Sequence, residues 1–306
     1  MLRVASLVMV AVSLALFVGC ASVKNSADIP KYEELSAGGD LAATRALIDT
    51  LRSPDRSKRD EAYKALIASG SPAVPELLKS LKDDDPELRE YAAAALGDIG
   101  DQRAVSPLLD MLKTEPKRRY IAAWALGKLK AEVAIDPLIS ALAEKNDALQ
   151  KESTRALIAI GAPAVPALIN ALESPESDVR KFSSRALGII EDKRGEDPLI
   201  RHLNDKNDDV ASAAALALGT AGTQKSVAPL VTALGSKHMM TRVNAAISLG
   251  TLNAKDAVAP LTDIMDKDED PYVREWCARA LENITDNRYK YKDEHGMLVF
   301  PYNLYR

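Results

Sequence analysis

Aromatic residues are scarce, 5% of the 306-residue chain, and histidine occurs three times, as His202, His238 and His295. Few rings and abundant Ala and Leu point away from a core built on large side chains and toward many similar helices packed closely. Three scattered histidines, none followed by a glutamate, leave little for metal coordination or proton transfer, and neither a metal nor a cofactor is expected. Two cysteines, Cys20 and Cys277, cannot make a disulfide framework. An excess of charge of one sign is also missing. Forty basic residues against 44 acidic ones leave a net charge of −4. Without a positive field or a basic stripe, no nucleic-acid partner is expected. Glycine-rich phosphate loops and a Gly-x-Ser-x-Gly elbow are absent too, so no residue is assigned a catalytic role and no enzyme is expected.

Long hydrophobic runs are missing except at the amino terminus, where one basic residue, Arg3, precedes the apolar segment from Val4 to Val18. Such a run falls short of the about 20 residues a membrane span needs, but suits the core of a secretory signal. It ends in Leu16-Phe17-Val18-Gly19-Cys20, which resembles the lipobox of bacterial lipoproteins, with Phe17 where that family prefers Leu. The resemblance implies that residues 1–19 are a signal peptide and that Cys20 becomes the lipidated first residue. The alternative is an ordinary secretory signal cut after Ala21, which releases a soluble protein. With Ala21 rather than Asp after the cysteine, the expected location is the outer membrane, facing the periplasm. Residues 20–39 are polar and end in Gly38-Gly39, and read as a tether. Residues 40–52 read as a single capping helix with Leu41, Leu47, Ile48 and Leu51 on one face.

Internal repetition organises residues 53–285. A shared leucine falls at Leu66, Leu96, Leu126, Leu157, Leu187, Leu218, Leu249 and Leu281, at successive spacings of 30, 30, 31, 30, 31, 31 and 32 residues. A period of that length means a stack of helical units, none of which buries its apolar face alone. Four residues before each leucine stands a small residue: Ala62, Ala92, Ala122, Ser153, Ser183, Ala214, Ala245 or Cys277. The slot implies close backbone approach and accounts for Cys277 as a packed small side chain. Each unit up to the seventh then carries a second helix with proline near its start, where the missing donor costs nothing: Pro75, Pro107, Pro137, Pro166, Pro198, Pro229 and Pro260. Its apolar positions follow the i, i+3, i+4, i+7 spacing of one buried face, as in Val105, Leu108, Leu109 and Leu112. Glu196 and Thr262 interrupt that register.

Seven residues before the leucine stand Arg59, Arg89, Arg119, Arg180, Arg242 and Arg274, with Gln150 and Ala211 in the other two units. The favoured reading is a guanidinium ladder joining successive units through acidic or carbonyl acceptors; the other is an anion-binding stripe. Acidic runs such as Asp208-Asp209 and Asp266-Lys267-Asp268-Glu269-Asp270 could attract calcium, but the favoured reading is solvated turns with helix caps. The Ala-Leu-Gly glycines (Gly97, Gly127, Gly188, Gly219, Gly250) are expected at helix ends in left-handed backbone. His202 and His238 are expected at the surface.

Together, the Ala-Leu-Gly and Ala-Val-x-Pro-Leu-Leu patterns resemble the short HEAT-like repeats first named from phycobilin lyases. The resemblance implies an all-α, right-handed α-solenoid of about eight helix pairs. Family members act as lyase subunits, hydroxylases and, most often, interaction scaffolds. The expected function is therefore a membrane-anchored scaffold of the bacterial cell envelope with an unidentified protein partner, held to the membrane by its N-terminal lipid. The alternatives are a lyase or isomerase activity on a protein-bound tetrapyrrole, and a purely architectural spacer. Residues 286–306 change in composition and read as an aromatic cap, folded as a small hairpin about Asp293-Glu294-His295-Gly296. Tyr289, Tyr291, Phe300, Tyr302 and Tyr305 form a candidate docking patch there.

Overall fold

The computed structural model describes residues 23, 25–115 and 117–301. The chain divides into two compact units, Met1–Pro137 and Leu138–Arg306. Among the described residues the first helices of the repeats are α1 (Ile29–Ala37), α3 (Arg56–Ser69), α5 (Pro86–Ile99), α7 (Arg119–Lys128), α9 (Asp147–Ile160), α11 (Ser177–Ile190), α13 (Asp208–Ala221), α15 (Met239–Thr251) and α17 (Pro271–Thr285). Between them run the second helices α2 (Leu41–Thr50), α4 (Val74–Ser80), α6 (Val105–Thr114), α8 (Ile135–Ala141), α10 (Val165–Ala171), α12 (Glu196–His202), α14 (Val227–Ala233) and α16 (Val258–Lys267). Within each unit, first helices pack on the first helices of neighbouring repeats, and second helices lie against the first helix that follows.

Sequence explains where these helices start. Asp40, Asp55, Asp85 and Asp270 stand just before first turns, and their carboxylates accept from backbone N–H groups two or three residues on. Asn146 and Asn207 do the same through their amide oxygens. The prolines fall within the first three positions of α4, α6, α8, α10, α12, α14 and α16, each after a single 3₁₀ turn. All eight shared leucines and all eight residues of the small slot, Cys277 included, are fully buried. Burial pushes the Cys277 thiol up to about 12, with Asp268 adding to it.

The tether reading gives way at residues 29–37. These form α1, which packs against α2 and α3 and so extends the first-helix layer by one member. Its apolar stripe is thin, and part of its contact is polar: Ser36 Oγ and Thr44 Oγ1 share a buried hydrogen bond of 2.8 Å. A hydrophobic-period reading has little to find in such a helix. Leu41, expected on the buried face of α2, is 41% exposed, whereas Leu47, Ile48 and Leu51 are buried.

The Ala-Leu-Gly glycines do not end their helices. Gly97, Gly127, Gly188, Gly219 and Gly250 lie inside the last turn, and the left-handed residues come later, at Gly70, Gly100, Gly161, Lys130, Glu191, Asn253 and Asp286. Space is what Gly97, Gly188, Gly219 and Gly250 need. A Cβ on Gly97 would stand 2.9 Å from Ala125 Cα, and one on Gly188 would stand 2.7 Å from both Ala217 Cα and Ala217 Cβ. Helix propensity alone favours Gly→Ala by about 1 kcal/mol. Overpacking against a neighbouring backbone costs about 1–3 kcal/mol. The packing loss is expected to win, so Gly188→Ala lowers stability in chemical denaturation; a stabilised variant refutes the close-approach account.

Candidate functional site

The arginines of the repeated position direct their donors inward. Arg180 donates from Nη1 to Ser174 O (2.8 Å) and Pro175 O (3.0 Å) in the turn before its helix. Its Nε and Nη2 meet Asp205 in a bidentate pair, both at 2.8 Å. Arg242 repeats the arrangement with Ser236 O (3.0 Å) and with Asp268 at 2.8 and 3.0 Å. Arg89 reaches Asp83 O (2.7 Å) and Glu115 (2.9 Å). Arg59 reaches Ser53 O (2.6 Å) and the Tyr91 hydroxyl (3.2 Å), and Arg119 reaches Leu112 O. Arg274 spans from Asp268 O (2.6 Å) to Lys292 O (2.7 Å) and Asp293 O (3.0 Å) in the carboxy-terminal hairpin. Gln150, one of the two exceptions, still donates to Leu142 O at 2.9 Å.

Arg59, Arg89, Arg180, Arg242 and Arg274 thus pin the turn before their own helix; Arg89, Arg180 and Arg242 also pin the turn after the next second helix, and Arg274 pins the hairpin. The acidic partners are shared: Asp205 and Asp268 each also accept from the backbone N–H two residues on, at 2.8 and 2.9 Å. Arg180 and Asp205 have side chains only 5% and 7% exposed.

Two polar residues of α12, Glu196 in the apolar register and His202 outside it, are buried pegs. Glu196 accepts from Thr223 N–H (2.7 Å), Thr223 Oγ1 (2.9 Å) and Ser226 Oγ (2.7 Å) in the next repeat. Burial pushes its carboxyl up, but these donors and the Lys193 ammonium outweigh burial and hold it below the usual range. His202 is a second peg rather than a surface residue. It is buried, with Nδ1 2.9 Å from Pro198 O and Nε2 2.8 Å from Leu172 O. In α4, Glu76 is buried at 5% exposure, takes Arg45 Nε and Nη2 at 2.9 and 3.1 Å, and takes Lys79 Nζ at 2.7 Å. The hydrogen bond from Arg45 leads in lowering its carboxyl from 4.5 to about 2. The one-dimensional pattern marks Glu196 only as an exception, and nothing in it singles out Glu76.

The third apolar position of the second helices is only half-buried. Leu78, Leu109, Ile139, Ile169, Ile200 and Val231 all show part of their side chains to solvent, and Thr262 continues the register. At the carboxy terminus the short strands β1 (Tyr291–Lys292) and β2 (Leu298–Val299) pair antiparallel, Tyr291 facing Val299. Asp293 holds the turn by accepting from His295 N–H (2.9 Å) and Met297 N–H (2.8 Å). Tyr289 and Tyr291 are half-buried against the last helix, whereas Phe300 is exposed, with Arg288 and Lys290 over its ring at 4.3 and 5.1 Å. Tyr302, Tyr305 and Cys20 lie outside the described residues. Among the described residues no three or more His, Cys, Asp and Glu side chains gather as a metal would require, and no single helix is long and apolar enough to cross a membrane.

A family model described as HEAT repeats matches residues 44–127, 135–218 and 196–282. The chain belongs to the HEAT repeat family. A second model, the PBS lyase HEAT-like repeat, matches residues 118–144. No curated protein matches. Among solved structures, this HEAT repeat protein is similar to importin beta, with TM-score 0.60 and 14% identity over 82% of this chain and 42% of that one. It is similar to Kap121p at TM-score 0.51 and 13% identity, over 79% and 37% of the two chains. The complex of CpcE and CpcF of phycocyanin lyase from a Nostoc species aligns at TM-score 0.46 and 24% identity, over 48% and 98%. At such identities the likeness speaks to fold, and the fold of this HEAT repeat protein is an all-α solenoid.

Two outcomes follow for its polar contacts. Arg180→Ala strands the buried Asp205 carboxylate and is expected to cost about 3–5 kcal/mol of unfolding free energy. Arg52→Ala removes exposed pairs to Asp83 and Asp85 and should cost less than about 1 kcal/mol. Equal losses in urea titrations contradict the buried-pair reading. For Glu76, the folded carboxyl binds its proton more weakly than the unfolded one. Its contribution is complete above about 4.5 and vanishes as pH falls toward about 2. Glu76→Gln should therefore flatten the stability profile over that interval relative to the parent, and an unchanged profile argues against the pair.

Proposed function

We propose that this HEAT repeat protein is a lipid-anchored scaffold of the bacterial cell envelope that binds a protein partner on its second-helix face, without a covalent step. The observation that carries this reading is the third position of the second helices. Solvent reaches it, yet it is aliphatic in every second helix from Leu78 in α4 through Val231 in α14. Full burial does not demand that chemistry, whereas contact with another chain uses it. The ladder arginines spend donors on internal acceptors, which weakens the anion-stripe alternative.

Support for the anchor is the run to Cys20, which resembles a lipobox. Each buried methylene of an acyl chain contributes about 0.8 kcal/mol, and two or three chains hold a protein firmly. A 3₁₀ turn at Ser26–Asp28 leads into α1 at Ile29, so few residues are left in sequence between Cys20 and the folded repeats to serve as a tether. So short a tether keeps the repeats near the membrane and raises their effective concentration toward partners there. The location that fits is the outer membrane, facing the periplasm.

The test is cross-linking in intact native cells, with a carboxy-terminal tag and identification of what copurifies. A partner recovered near stoichiometry with the parent, lost with Ile200→Glu and released from the membrane fraction with Cys20→Ser, is the expected result. Recovery unchanged by Ile200→Glu refutes the second-helix face, and a Cys20→Ser variant that partitions like the parent refutes the anchor. The match to a PBS lyase HEAT-like repeat favours a second reading, a lyase or isomerase activity on a protein-bound tetrapyrrole. Visible absorbance in the purified native protein would establish a bound chromophore and support that alternative.

A further inference from the structure

On the first-helix side of the amino-terminal unit lies a cavity of about 430 Å³ that the repeat pattern does not account for. Its walls are Tyr63 of α3 and Tyr91 of α5, its aliphatic lining is Ala94 and Ile121, and Glu87 and Arg118 also line it. The volume falls within the about 300–1,000 Å³ of small-ligand sites. The two rings stand 6.1 Å apart at 55°. Both hydroxyls are committed: Tyr63 donates to Asp98 Oδ2 at 2.8 Å, and Tyr91 accepts from Arg59 Nε at 3.2 Å. Fixed in this way, the two side chains form a set part of the lining.

Charge decides what enters. Arg118 pairs with Glu90, whose other oxygen accepts from Tyr120 at 2.6 Å. Arg59 is spent on Ser53 O and Tyr91. Asp98 is taken by Tyr63 and by Lys128 Nζ at 3.0 Å. Glu87 differs: its side chain is exposed, and among the described residues its carboxylate accepts no hydrogen bond and makes no ion pair, with Arg59 acting on it only through its field. Each cation that lines or borders the cavity thus has hydrogen-bond or ion-pair partners, and among these charged groups Glu87 alone has neither. An anion would meet that carboxylate, and an uncharged ligand would desolvate it without return. A cation with an aliphatic stem satisfies every wall at once, its charge over the rings and toward Glu87 and its stem on Ala94 and Ile121.

We propose that this cavity binds a basic side chain, lysine or arginine, presented by the partner protein. The proposal rests on the scaffold reading for its biological setting, but the cavity is testable without any partner. The mature protein labelled with 3-fluorotyrosine is titrated with N-acetyl-arginine methylamide and N-acetyl-lysine methylamide. N-acetyl-norleucine methylamide serves as the uncharged control, and Tyr63→Phe and Tyr91→Phe assign the two resonances. The expected result is a saturable shift of both resonances with a basic probe and none with norleucine. Glu87→Gln should weaken binding about fivefold, the upper end for one exposed ion pair, while the other tyrosine resonances report an unchanged fold. Equal shifts with norleucine, shifts confined to other tyrosines, or a Glu87→Gln affinity within about twofold of the parent overturn the proposal. Loss of the partner with Ile200→Glu concerns a different face, so the scaffold reading survives a failure here and this cavity survives a failure there.

Discussion

Successive first helices approach until backbone meets backbone, and the remaining structure depends on that distance. A slot of Ala, Ser or Cys recurs on every first helix from α3 to α17, always fully buried. Where Gly188 faces Ala217, even a methyl group exceeds the space. Dispersion falls steeply with separation, so small residues gain here through contact number what larger ones gain through area. The cost is that no one repeat has a core of its own. Each shared leucine is buried by neighbours, which makes stability a property of the stack.

Close packing of helices leaves their turns to be fixed by something other than hydrophobic contact. The repeated arginines do this with charge-assisted hydrogen bonds to carbonyls of one turn and, in three of the repeats, to acceptors in the turn one repeat later. A planar fork suits the task because one side chain can hold two turns at a set spacing. Glu196 and His202 serve the same end from the second helices, linking to Thr223 and Ser226 on one side and to Leu172 on the other. Among the described residues the buried charges Glu76, Arg180, Glu196 and Arg242 all have partners.

Function therefore falls to what the framework leaves over. Aliphatic side chains of the second helices are half-exposed at a constant register, and one cavity on the opposite helices retains an uncommitted carboxylate beside two immobilised rings. Neither arrangement brings together a nucleophile and a base. The proposed recognition of a partner rests on these two features, half-exposed aliphatic side chains on one set of helices and a carboxylate without a partner beside two rings on the other.

The 30- to 32-residue spacing of the leucines, the proline-led second helices, the small slot and the arginine position were legible because each recurs, and recurrence converts a weak local signal into a strong one. The helix at residues 29–37 was not, since a buried Ser36–Thr44 hydrogen bond carries part of its contact and leaves no apolar period. The glycines were visible but their role was not: spacing showed that Gly97 and Gly188 repeat, and only the facing Ala125 and Ala217 show that they make room. Half-burial of the Leu78–Val231 register and the meeting of Tyr63 with Tyr91 were likewise beyond reach. By itself the sequence determined the repeat, its helices and its buried leucines, because these follow from periodicity along one chain. The tertiary structure alone decided which polar groups are consumed and which remain, because a hydrogen bond between residues some thirty positions apart is a matter of distance in space and leaves no period in the chain.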